Sequence, residues 1–184
     1  MKQKNTLSVV LNLLVWASLL LGACQPTVSV PVPTPQPTTT DTAYLNATYE
    51  IDGQSVSLVD GKNEIAVAPD SASKIITQVV GDQTFGDLNG DGKNDVVLIL
   101  SQDGNGSGTF YYVVIALQTE NGYQGSNAVF LGDRIQPEMI VINDQMIEVQ
   151  YKDRSPDEPM STEPTLTVKH TYLWSDDILQ EVEK

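Results

Sequence analysis

Apolar and polar residues alternate with the period of a pleated strand along most of the chain beyond residue 44. "ATYEIDGQSVSLVDG" (47–61) predicts two short strands around Asp52-Gly53, a dipeptide that favours a hairpin turn. "KIITQVV" (74–80) and "DVVLIL" (95–100) are β-branched runs too short for most helices. "TFYYVVIALQT" and "SNAVFLG" flank a turn signal at Asn121-Gly122, and "EMIVI" and "MIEVQY" flank Asn143-Asp144-Gln145. "TLTVKHTYLW" alternates again, with Leu166, Val168, His170, Tyr172 and Trp174 on one face. The closing "SDDILQEVEK" offers Ser175 as a helix cap or a tight turn before a last strand, and the strand is preferred. The expectation is an all-β domain over 44–184, an antiparallel meander forming a small sandwich or a partly closed barrel.

The first residues carry a different pattern. Lys2 and Lys4 precede an apolar stretch, "TLSVVLNLLVWASLLLGAC", broken only by Thr6, Ser8, Asn12 and Ser18. A positive start, an apolar middle and a small-residue end predict a signal peptide over 1–23. Leu21-Gly22-Ala23-Cys24 resembles the bacterial lipobox. That resemblance implies cleavage before Cys24, a diacylglycerol thioether on its sulfur, and anchoring to a bacterial membrane, with the domain facing the periplasm or the cell exterior. Cys24 is the only cysteine, so the chain has no intrachain disulfide and no cysteine metal site. Residues 24–43 then form a disordered Pro/Thr-rich linker, "QPTVSVPVPTPQPTTTDTA" after the cysteine. At about 3.1 Å per residue such a segment spaces a domain on the order of 50 Å from a bilayer.

Charge narrows the partners. Ten basic residues stand against 24 acidic ones, a net of −14. Losing Lys2 and Lys4 with the signal peptide takes −14 to −16. A nucleic-acid partner is excluded, because it requires a basic footprint.

The strongest chemical signal is "FGDLNGDGKNDVVLIL", residues 85–100. From Asp87 to Asp95 it spells D-x-N-x-D-G-x-x-D. Calcium takes six to eight oxygen ligands, and side chains at alternate positions of a curling loop converge on one point. The candidate ligands are Asp87, Asn89, Asp91, the backbone carbonyl of Lys93, and Asp95, with Gly92 permitting the sharp turn. The EF-hand pattern fails at its twelfth position, where Leu98 replaces the closing Glu, and the flanks are strand-like. The spacing, with Phe85-Gly86 before it and "DVVLIL" after it, resembles the calcium loops of FG-GAP and VCBS-type repeats. It does not imply their propeller, since one copy cannot build several blades. More loosely, "GDLNGDGKNDVVLIL", "GSGTFYYVVIAL" and "NAVFLGDRIQ" together resemble a recurring domain of bacterial exported lipoproteins. That likeness implies a place and a fold rather than an activity.

Other constellations are weaker. "SQDGNGSGTF" (101–110) begins like a second calcium loop at Asp103, Asn105 and Ser107, but Tyr111 and Val114 stand where ligands are needed, so a glycine-rich hairpin connection is expected. Asn105 also breaks the G-x-S-x-G pattern of a nucleophile elbow around Ser107. Asp87, Asp91 and Asp95 as an acid–base pair are less economical than a metal loop. His170, the only histidine, reads as a packed strand residue, and Asp133-Arg134 as an ion pair pinning a turn. "YKDRSPDEPMSTEPT" (151–165) is a long polar loop and the first place to seek a partner surface.

The expected function is non-catalytic: a membrane-anchored calcium-binding β-module that meets a cell-envelope or extracellular protein partner. The alternative is a small envelope inhibitor of a hydrolase such as lysozyme, whose basic surface an acidic domain would suit. A hydrolytic enzyme ranks third.

Overall fold

In a computed structural model of the protein, residues 42–104 and 106–182 are described. The segment expected to be a signal peptide (1–23), Cys24, and the expected linker up to residue 41 lie outside the described residues. Among the described residues no helix is long and apolar enough to cross a membrane.

The apolar run "DVVLIL" lacks alternation because its strand is buried on both faces. Among the described residues, twelve strands follow a single 3-10 turn at Ala43–Asn46: β1 (Thr48–Ile51), β2 (Gln54–Ser57), β3 (Lys62–Ala66), β4 (Lys74–Gly86), β5 (Asp95–Asp103), β6 (Thr109–Thr119), β7 (Gly122–Gly125), β8 (Val129–Asp133), β9 (Gln136–Asn143), β10 (Met146–Asp153), β11 (Leu166–Ser175) and β12 (Ile178–Glu181). They form three antiparallel sheets: the hairpin β1-β2, the meander β9-β10-β11-β12, and a central sheet ordered β3-β4-β5-β6-β7 with β8 also paired to β6. All three sheets are open, so the arrangement is sandwich-like rather than a closed barrel.

Two cores meet across the central sheet. Val96, Leu98 and Leu100 of β5 and Tyr112, Val114 and Ala116 of β6 pack against Tyr49, Ile51 and Val56 of the hairpin. The residues between them, Val97, Ile99, Val113 and Ile115, point the other way and pack against Ile147, Val149, Tyr151, Tyr172 and Leu179 of the four-stranded sheet. The two-residue period of a strand thus delivers alternate side chains to two separate cores.

Aspartate makes the turns. Both central residues have positive φ at Asp52-Gly53, Asp60-Gly61, Asp144-Gln145 and Asp176-Asp177, and each pair closes a two-residue connection between antiparallel partners. This is the I′ geometry that matches strand twist, and Asp and Gly tolerate it best. The last strand is therefore β12 and not a helix.

The structure departs from the sequence pattern at four places. β4 continues beyond Val80 through a register shift before Thr84, where Gly81 takes φ +70°. β3 was hidden because "KNEIA" is mostly exposed and has no apolar face. β7, "GYQG", reads as a turn, yet it pairs with β6, and a Cβ on Gly125 would lie 2.3 Å from the Thr48 carbonyl oxygen. Only glycine lets β1 pass that close. On β11, Val168, Tyr172 and Trp174 join the core, whereas Leu166 is 48% exposed at the strand's outer end.

Because Leu98 and Ile115 serve different cores, their truncations should add. In urea denaturation Leu98→Ala is expected to cost about 2–5 kcal/mol and Ile115→Val about 0.5–1.5 kcal/mol. The double variant should equal the sum within ~0.5 kcal/mol. A larger coupling would mean that the two faces share one core.

Candidate functional site

The aspartate-rich loop joins β4 to β5, bounded by the Gly86–Asp95 register pair. Its position is fixed from inside. Leu88, 1% exposed, enters the core shared with the four-stranded sheet. Gly90 and Gly92 take φ +79° and +80°, the left-handed conformation in which a side chain is strained.

Around this anchor the polar side chains gather backbone N–H groups. Asp87 Oδ1 accepts from the amides of Gly90 (2.7 Å) and Asp91 (3.2 Å), and its Oδ2 from Gly92 (2.9 Å). Asn89 Oδ1 accepts from the Asp91 amide at 3.0 Å, and Asp91 Oδ1 from that of Lys93 at 2.9 Å. The Lys93 ammonium lies 3.6 Å from Asp91 Oδ2. Asp87, Asn89 and Asp91 thus belong to one web, in which bonds to backbone N–H groups orient the side-chain oxygens. The Lys93 amide, foremost, holds the Asp91 carboxyl below its usual pKa.

Asp95 turns inward. It is wholly buried, with Oδ2 accepting from the Leu88 amide at 2.9 Å and Oδ1 from the Gln118 amide at 2.8 Å. Gln118 answers by accepting the Asn94 amide on its side-chain oxygen at 3.2 Å. The carboxylate therefore ties the loop to both β5 and β6. Burial pushes its pKa up, the two N–H bonds oppose that, and the negative charges of Asp91 and Asp87 add to the rise.

Among the described residues no three Asp, Glu, His or Cys side chains are gathered into a group that could hold a metal. A cation in this loop would draw on Asn89 and main-chain oxygens as well as carboxylates. Sequence reasoning missed two residues that build the loop: Leu88, the one apolar residue inside the motif, and Gln118, 23 positions from the Asp95 carboxylate that its amide meets. Leu88 was legible as an apolar residue within a polar run; Gln118 carried no local signal.

The remaining sequence candidates fall into structural roles. Residues 104–108 connect β5 to β6, as a glycine-rich hairpin link, and Asn105 lies outside the described residues. The His170 ring stacks on Tyr151 (5.9 Å between centroids, 8°) and Tyr172 (6.4 Å, 29°), and its Nδ1 meets the Glu181 carboxylate. Arg134, at φ +52°, pairs with Asp133 at 3.1 Å and pins the turn into β9. In the long loop Arg154 donates to the Arg134 carbonyl at 3.0 Å and to that of Thr162, which fastens both ends of the segment.

No known protein family, curated protein or solved structure matches the chain.

The Asp95 geometry has a pH signature. A carboxyl with a folded-state pKa above its unfolded value contributes stability that is fully present below the unfolded value, 3.8 for a free aspartate, and lost as pH rises through the folded pKa. Asp95→Asn removes this titration. In chelator, the stability of the wild-type chain relative to Asp95→Asn should therefore fall as pH rises from strongly acidic towards neutral, as measured by urea denaturation. A rise over that interval would show that the two N–H bonds outweigh burial.

Proposed function

We propose that the chain is an exported lipoprotein, anchored to a bacterial membrane through Cys24, whose β-domain binds calcium in the loop 87–95 and acts as a non-catalytic binding module of the cell envelope. The observation that carries the calcium reading is the carboxylate of Asp87, which draws the amides of Gly90, Asp91 and Gly92 around it. Such a web orders the loop and fixes the orientation of its side-chain oxygens. All five candidate ligands, Asp87, Asn89, Asp91, the Lys93 carbonyl and Asp95, offer the hard oxygen atoms that calcium prefers.

Charge supports the same reading. Burial, and after it the charges of Asp91 and Asp87, raise the pKa of Asp95, so the loop concentrates negative charge beside the core that its N–H bonds and Lys93 offset only in part. A divalent cation would supply compensating charge. The role is structural, since the loop feeds β5 directly and its apolar anchor Leu88 is part of the core. Lipid anchoring rests on Leu21-Gly22-Ala23-Cys24 and the preceding apolar stretch. Two or more acyl chains hold a protein at a bilayer stably, where one does not. The proposed partner is an envelope or extracellular protein, met by the domain at the end of its linker.

Extracellular calcium modules bind at about 0.1–1 mM. Calcium at 100 times its dissociation constant should therefore stabilise the chain by about 2.7 kcal/mol over chelator. Asp91→Ala should abolish the shift, and the shift should fade with acid as the carboxylates protonate. An unchanged melting temperature at saturating millimolar calcium would refute the calcium reading.

The anchor has its own test. Cells fed labelled fatty acid should incorporate label into the wild-type chain and none into Cys24→Ser. Equal labelling of both chains would refute acylation at Cys24.

A further inference from the structure

The hairpin β1-β2 covers only part of its face of the central sheet. Past its Asp52-Gly53 tip that face presents Gln102, Phe110, Tyr112 and Phe130, which with Asp52 line an open cleft of about 460 Å³. This volume falls in the range of small-molecule sites. Phe110 and Phe130 are 40% and 53% exposed, so the cleft keeps aromatic surface in water that neither core uses.

The rings are inclined to one another. Phe110 and Phe130 are 6.2 Å apart at 52°, and Tyr112 and Phe130 are 5.6 Å apart at 63°. Walls set at such angles curve around a compact group, whereas a flat sugar ring would want a level platform. Aromatic faces attract cations through their quadrupole, and quaternary ammonium groups are the ligands most often held this way.

The polar groups select further. Asp52 Oδ2 accepts from the Tyr112 hydroxyl at 2.9 Å, which holds the carboxylate beside the rings. The Gln102 amide donates to Thr77 Oγ1 at 3.2 Å. The cleft thus offers negative field and hydrocarbon, with one Asp52 oxygen and the Gln102 amide nitrogen already engaged within the protein. A primary ammonium would have to direct three N–H groups at the few acceptors that remain. A quaternary ammonium has no N–H to satisfy. None of the five lining residues is basic, and the whole chain carries −14, so a cation meets no local repulsion.

We propose that this cleft binds a small quaternary-ammonium compound, through the exposed rings of Phe110 and Phe130 and the field of the Asp52 carboxylate, with the buried Tyr112 forming its floor. The site is independent of the calcium loop, and its success or failure leaves that reading untouched.

The test is calorimetric titration of the full chain, held in a maltoside detergent that carries no ammonium group. The probes are choline and its uncharged carbon isostere, in which a tert-butyl group replaces the trimethylammonium. Choline should bind saturably and at least several-fold more tightly than the isostere. Phe130→Ala removes an exposed ring. Asp52→Asn keeps an oxygen for Tyr112 and tolerates the left-handed turn at φ +50°. Each should weaken choline binding by roughly three- to thirtyfold, with thermal melting to confirm that the variants fold. Equal affinity for choline and isostere would reduce the site to a greasy cleft and overturn the proposal. So would choline binding unchanged in both variants, or no saturable heat at millimolar choline.

Discussion

β5 must be covered on both faces at once, and the rest of the domain follows from that constraint. A strand of Val, Leu and Ile without polar alternation cannot lie at a surface, so one neighbouring sheet is not enough. The four-stranded meander covers one side, and the short hairpin β1-β2, with Leu58 just beyond it, covers the other. Antiparallel pairing with β4 and β6 satisfies the backbone between them. The hairpin is too short to cover the whole face, and the aromatic cleft opens where it stops.

The aspartate-rich loop is the entry to this doubly buried strand. Leu88 fixes it to one core, and Asp95, the first residue of β5, turns its carboxylate inward to the amides of Leu88 and Gln118. Loop and strand are thereby one mechanical unit. A cation held by the proposed set of Asp87, Asn89, Asp91, the Lys93 carbonyl and Asp95 would act on the strand's first residue and offset the negative charges that surround it. The same loop on the rim of a sheet with one free face would have less to stabilise.

Much of this was legible in the sequence, for identifiable reasons. Asp-Gly and Asp-Asp turns, β-branched runs and the unalternating "DVVLIL" are local signals, and they located β1, β2, the first half of β4, β5, β6, β8, β9, β10, β11 and β12. β3 and β7 were not legible because pairing, not apolar pattern, makes them strands. Within the loop, the left-handed Gly92 and the acidic side chains could be read from spacing. The partnership of Asp95 with Gln118 could not, because it is made across a sheet by residues with no shared motif. The aromatic cleft escaped for the same reason: Phe110 and Phe130 meet only once β8 pairs with β6.

The central claim, that the loop and β5 form one cooperative unit through Asp95, is tested most directly by site-resolved amide hydrogen exchange. The Leu88 amide lies in a loop, where exchange is ordinarily fast. If Asp95 joins it to the core, Leu88 and Gln118 should exchange as slowly as Val97, Leu98 and Ile99, through opening of the whole domain. A Leu88 amide that exchanges as fast as the exposed turn residues, while β5 stays protected, would contradict the account.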